Sequence, residues 1–421
     1  MRTIILPIGS LFFAVALLSI GYGLLMSLIG IKMELANIKP WASGVVNASF
    51  FIGGVFSLIS SIKIISTVGH IRSFAAFAAL FAFAALWHTF TSSLIAWAIT
   101  RAISGYSFYS LLLIVESWIN EKTPSQNRGR VLSIYTVVFY ISMTSGQLML
   151  NIPDRNGTLL FTISAMFVML SLIPIALTKI IEPRMSIIKT ITLPRLYGIA
   201  KLAIVSSFIA GILVGGFFSM APIFAKAINL SNSSISIFMS IALIGALLSQ
   251  WPIGSFSDRF SRKSAILFTS FIGAVASMGL WLFGDSKANL FLFVFLLGVS
   301  IFAIYPLSLA SGNDTTDESV SAIEINRALL LVYGIGSSIS PILIGISMAN
   351  FGAKSMFALF FAFSIFLTLY TYTRSKVPFR QRSIYVAVPS TTSPILAEFD
   401  PRQDEAWVEE KKEEIVLKDE D

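Results

Sequence analysis

The sequence predicts an all-α integral membrane protein of twelve transmembrane helices, built as two pseudo-symmetric six-helix bundles. Three observations lead there. Apolar residues fill 55% of 421 positions and the mean hydropathy is +0.81. Charged residues make up 12%, about half the share a soluble domain carries. The apolar residues are gathered into twelve runs, most of them near the ~20 residues a helix needs to cross a bilayer core. Only helices and closed barrels satisfy their backbone in lipid, and the ten-residue alternation of barrel strands is missing.

The runs lie at 4–31, 41–62, 73–87, 94–119, 131–150, 159–180, 202–225, 233–253, 264–283, 290–310, 322–348 and 355–372. The first is too long for a signal peptide and has no small-residue cleavage site, so it is read as the first span. The third is short, and the link after it (88–93) forces a tight helical hairpin with the fourth. Pro174, Pro222, Pro252, Pro306 and Pro341 lie within spans and predict kinks.

Lysine and arginine set the orientation. With the N-terminus inside, eighteen of them fall in segments on the inner side and six on the outer side. The positive-inside rule then places both termini in the cytoplasm. The net charge of +8 follows from this bias and is no nucleic-acid signature. No partner is expected beyond the bilayer, a small-molecule solute and protons, and the chain is read as a monomer. The absence of cysteine excludes disulfides and cysteine–metal sites. His70 and His88 sit at span ends, too few and too far apart for a histidine metal site or triad. No phosphate-binding loop or hydrolase motif is present, so neither an enzyme nor a cofactor is expected.

The chain divides into a six-span bundle (1–181), a basic central loop (182–200), a second six-span bundle (201–373) and a cytoplasmic tail (374–421). Shifting the halves by 191 residues aligns 49–72 with 240–263, an internal symmetry typical of transporters with the site between repeats. From Glu398 onward the tail is strongly acidic, and its prolines argue against regular structure, so it is read as solvated and disordered.

Charge inside a span is expensive and marks function. Arg101 lies in the fourth span, with Gly105 one turn on along the same face to let a neighbouring helix approach. Glu116, at the inner end of that span, is about 22 Å from Arg101 at 1.5 Å per residue and is expected to pair with Arg128 or Arg130. Glu324 and Arg327 form the corresponding set at the start of the eleventh span. Tyr22, Tyr106, Tyr109, Tyr140, Gln147 and Tyr305 are cavity candidates, with Asn47 and Gln250 as softer ones.

The densest charge cluster is Gly254-Ser-Phe-Ser-Asp258-Arg259-Phe-Ser-Arg262-Lys263, read as a loop between the eighth and ninth spans. It resembles the G-x-x-x-D-[RK]-x-G-[RK]-[RK] signature of the major facilitator superfamily, with Ser261 where the family has glycine. The N-terminal copy, 62–72, has lost the acid. Arg101-Ala-Ile-Ser-Gly105 resembles the family's fourth-helix R-x-x-x-G. Val115-Glu116-Ser117, Asn127-Arg-Gly-Arg130, Gly146-Gln147-Leu148, Gln250-Trp-Pro-Ile-Gly254 and Tyr305-Pro306 are similar to the YcaD-like group of bacterial transporters. The resemblance implies alternating access by a secondary or facilitative carrier in the inner membrane. It also implies a cavity-facing Arg101, and Asp258 as a cytoplasmic gate that caps a helix across the half-interface.

Proton-coupled carriage of a small solute leads. A drug- or siderophore-type exporter is the alternative, and a receptor signalling through the tail is a third reading. The first span has no acid before Glu34 and the fifth has no proline, which favours uptake over drug antiport.

Overall fold

The computed structural model describes residues 2–124, 127–154, 156–178, 192–315, 322–375, 377, 385, 388 and 389. Among the described residues, twelve helical spans are long and apolar enough to cross a membrane.

The first bundle comprises α1 (Arg2–Leu35), α2 (Pro40–Val68), α3 (His70–Trp87), α4 (Leu94–Lys122), α5 (Arg128–Leu148, continued by a 3-10 turn Met149–Asn151), α6 (Leu159–Leu170) and α7 (Leu172–Leu177). A short helix, α8 (Leu193–Ile199), precedes the second bundle: α9 (Lys201–Ala227), α10 (Asn232–Arg259), α11 (Arg262–Phe283), α12 (Lys287–Asn313), α13 (Ala322–Phe351) and α14 (Ser355–Tyr372).

Helix starts follow local chemistry. Ser93, Ser231 and Ser261 each accept a backbone N–H from three residues on, supplying a donor's missing partner. Pro40 occupies the first turn of α2, where its absent N–H costs nothing. Pro174 acts as expected. The sixth span breaks at Ser171, because the proline removes a donor and crowds the preceding turn. The other four in-span prolines lie inside continuous helices.

Two expected loops are largely helix. α2 runs on to Val68 and turns at Gly69 alone, whose φ of +94° is a glycine conformation. The charged cluster is likewise the last two turns of α10 and the first of α11, with only Phe260 and Ser261 between them. Ser261 has φ 165° and ψ 159°, extended backbone open to any residue. The serine standing where glycine was expected therefore carries no strain, and it caps α11 through its hydroxyl.

The halves repeat one packing scheme. α1 packs on α5 and α2 on α4, and the second bundle matches this with α9 on α13 and α10 on α12. Serines stitch the helices: Ser164 donates to Gly21 O (2.8 Å), Ser207 to Leu329 O (2.7 Å) and Ser300 to Thr269 O (2.7 Å). Such bonds replace the hydrophobic drive that lipid does not provide.

Between halves, α2 packs on α13, α5 on α10 and α1 on α9. Asn47 Nδ2 donates to Ser219 O (3.1 Å), Ser236 Oγ donates to Gln147 O (2.8 Å), and Asn151 Nδ2 donates to Ser236 Oγ (3.3 Å). α2, α10 and the 3-10 turn place all three at the end of the bundle away from the start of α1 and the end of α14. These bonds between halves hold that far end closed.

Candidate functional site

Close crossing of α2 and α4 builds the first part of the site. A Cβ on Gly105 would collide with the Phe50 carbonyl oxygen, so only glycine allows this contact. The crossing lays the Phe50 ring over Arg101, with the guanidinium carbon 4.5 Å from the ring centroid. Arg101 is fully buried. Its Nη2 reaches Met26 Sδ at 3.2 Å and Asn47 Oδ1 at 3.3 Å, while Nε and Nη1 have no hydrogen-bond partner among the described residues. No carboxylate there pairs with it. Asn47 also holds α9 through Ser219, so the arginine sits one side chain from the half-interface. Arg101 is buried rather than snorkelling.

Next to it, Tyr22 stacks on Phe108 at 3.8 Å and on Phe50 at 5.7 Å. Tyr22, Tyr109, Tyr140 and Tyr305 all lie within electrostatic reach of Tyr333. Five phenols therefore converge from α1, α4, α5, α12 and α13, near the middle of the bundle. The Tyr305 and Tyr333 rings are 4.7 Å apart, and Tyr140 meets Phe302 of the opposite half edge-on at 6.0 Å. Four of the sequence candidates are thus brought together. Phe302, Met26 and Phe50 were missed, because a phenyl ring or thioether in an apolar run carries no positional signal, and Tyr333 was missed although it carries the same polar tip as the tyrosines named.

Tyr106 and Gln147 do not join them. Tyr106 bonds Ser60 (2.9 Å) in an outward-facing groove of α2, α3 and α4. The Gln147 amide is consumed within the first bundle, accepting from Ser27 Oγ (2.6 Å) and donating to Gly23 O (2.8 Å).

Glu116 is fully buried and accepts a 2.5 Å hydrogen bond from Tyr135 Oη. The expected pairing with Arg130 is not formed. Arg130 is exposed in the first turn of α5 and makes no ion pair among the described residues. A phenol further along the inward face of α5 meets the acid instead of the solvated guanidinium. Arg128 opens α5, half-buried. Glu324 and Arg327 stand in the first turns of α13, where an acid suits the helix dipole.

Part of the charged cluster ties elements of the second bundle together. Asp258 pairs with Arg262 at 2.5 Å, and Arg262 in turn lies 3.7 Å from Asp314 at the end of α12. Lys263 Nζ donates to Tyr372 O (2.9 Å), the last carbonyl of α14, a favourable place for a cation. Arg259 is exposed beside Phe260. A further Asp258 partner is unexpected: Oδ1 accepts the Tyr385 backbone N–H at 2.9 Å. In this structure the Asp258 carboxylate meets the backbone of Tyr385 rather than a helix of the first half. Tyr385 and Val388, expected in a solvated tail, pack into the protein. The acidic stretch beyond lies outside the described residues.

His88 is buried at the far end, bonded to Ala84 O and Thr100 Oγ1 (3.2 Å) and stacked on Phe161. Burial, with Arg101 nearby, lowers its pKa to about 4, so it is neutral. No histidine or carboxylate cluster able to hold a metal occurs among the described residues.

Comparison with known proteins agrees with this architecture. A family model described as Major Facilitator Superfamily matches residues 11–326 and again 203–407. The chain is 24% identical over 361 residues to the uncharacterized MFS-type transporter YcaD of Salmonella newport (strain SL254), covering 85% of this chain and 93% of that one. Among solved structures it resembles a mutant form of the nucleoside transporter NupG (TM-score 0.74, 14% identity, 87% of this chain and 99% of that one). It also resembles a bacterial homolog of the human lysosomal transporter Spinster, inward-facing and unoccupied (0.73, 14%, 89% and 98%), and a D-xylose-proton symporter (0.68, 14%, 89% and 99%). With twelve spans in two packed repeats and a family model spanning most of its length, the chain belongs to the major facilitator superfamily of membrane transporters.

Proposed function

We propose that this transporter carries a small anionic solute by alternating access, rocking its two six-helix halves about the tyrosine cluster. One observation carries the reading. Arg101 is fully buried, has no acid beside it, and keeps two guanidinium nitrogens without a hydrogen-bond partner among the described residues. A buried cation of this kind is costly unless a counter-charge arrives, and the planar fork suits a carboxylate or phosphate. The phenols offer donors to a bound solute, and ring contacts across the halves, such as Tyr140 on Phe302, can part as one half moves. The Glu116–Tyr135 pair supports proton coupling, because a buried carboxyl bonded to a phenol is a group whose protonation can follow the conformational state. The termini face the cytoplasm in this reading, with the chain in the inner membrane and moving solute inward.

Counterflow in proteoliposomes tests it, with carboxylates, phosphate esters and neutral sugars or nucleosides, each with and without a pH gradient. Anion flux that rises with an inward proton gradient is the expected result. Flux confined to neutral solutes removes the anionic reading, and indifference to the gradient removes the coupling.

A further inference from the structure

One stripe of α10 carries two different partners. Ser236, at the far end, bonds the first half through Gln147 O and Asn151. A helix returns to the same face after about eighteen residues, five turns of 3.6, which brings the stripe to Gly254. There the neighbour is Tyr385 of the C-terminal segment. A Cβ on Gly254 would collide with the Tyr385 ring, so the glycine forms a notch that the ring fills. One turn before, Gln250 Oε1 accepts the Tyr385 hydroxyl at 2.9 Å, and one turn after, Asp258 Oδ1 accepts its backbone N–H at 2.9 Å. Val388, three residues on, is 6% exposed and joins the core.

Three consecutive turns of α10 thus read one tyrosine by its hydroxyl, its ring and its backbone. At its far end, through Ser236, this stripe faces the first half. α5 runs antiparallel to α10, and about eighteen residues back from Gln147 the same seam reaches the turn carrying Arg128 and Arg130.

We propose that Tyr385, with Val388 packed beside it, acts as a built-in strap. Docked in the Gln250–Gly254–Asp258 notch, it occupies the part of α10 that must close against α5 when the near end of the bundle shuts, and so holds that end apart. Undocking of Tyr385 then gates the return half of the cycle. The strap rests on the rocking motion proposed above, but not on the identity of the solute.

The chain contains no cysteine, so spin labels can be placed at will. Ser133→Cys on α5 and Ser255→Cys on α10 are exposed positions at this end of the seam. Pulsed dipolar distances would be measured in lipid nanodiscs, without solute, for the full chain and for the Tyr385→Ala and Tyr385→Phe variants. The full chain should give a long distance. Tyr385→Ala should shift the ratio of short to long populations about fivefold or more, the effect of losing at least one net hydrogen bond, and Tyr385→Phe should give a smaller shift. A peptide of residues 377–393 added to Tyr385→Ala should restore the long distance. An unchanged distribution in Tyr385→Ala, with the peptide inert, overturns the strap. If no variant or lipid condition moves the distance at all, the rocking reading itself fails. Neither outcome depends on a solute assay.

Discussion

Replacing Arg101 with methionine separates a ligand-binding arginine from a structural one. Inserting an arginine at a helix centre costs about 2.5–3.5 kcal/mol on translocon scales. Against this stand one charge-assisted contact to Asn47, worth about 1.5–3 kcal/mol, and the stacking on Phe50, worth about 2 kcal/mol when desolvated. These terms nearly cancel. Methionine is unbranched and adaptable, so it fills the space between Met26 and Phe50 with little strain. Arg101→Met should therefore change unfolding free energy by less than about 2 kcal/mol in either direction. Transport should fall about a hundredfold in kcat/KM, the loss of a paired, desolvated contact to an anion of about 3 kcal/mol. The assays are denaturant unfolding of the purified protein in detergent and counterflow of a solute the wild type carries. Wild-type transport by the variant would refute the ligand role. A stability loss beyond about 3 kcal/mol would instead make Arg101 a packing keystone.

Four further outcomes follow from the geometry. Arg101→Lys keeps the charge but loses the fork and should still lower transport severely, measured by counterflow. Glu116→Gln and Tyr135→Phe should couple by about 1.5–3 kcal/mol in a double-mutant cycle on unfolding, whereas Glu116→Gln and Arg130→Gln should add independently. Ser261→Ala should destabilise by about 1 kcal/mol through loss of the α11 cap, and Ser261→Gly by only a few tenths, read from thermal unfolding. His88 binds its proton more weakly folded, with a pKa of about 4, than unfolded at 6.5. The stability it leaves intact above pH 6.5 is therefore lost as pH falls toward 4, by about 3 kcal/mol in all, and His88→Gln should flatten that part of the pH–stability curve.

Composition and periodicity alone determined the twelve spans and their grouping into two repeats. Lipid offers no hydrogen bonds, so each crossing must be a long apolar helix, and that demand is written locally in the chain. Buried charge was legible for the same reason, because an arginine or glutamate within an apolar run is conspicuous wherever the chain folds. Four of the tyrosines, Tyr22, Tyr109, Tyr140 and Tyr305, were named from their polar tips in apolar runs, yet nothing local separated them from Tyr106, which turned outward to Ser60. Partners were decided only in three dimensions. Glu116 chose Tyr135 over Arg130 because the phenol faces the buried side of α5 and the guanidinium faces water. Asp258 met Arg262 and Tyr385, the latter 127 residues away, because α10 continues through the expected loop and its stripe offers a glycine notch. Hydrophobic pattern fixes which residues are inside, while packing at van der Waals distance fixes which of them touch.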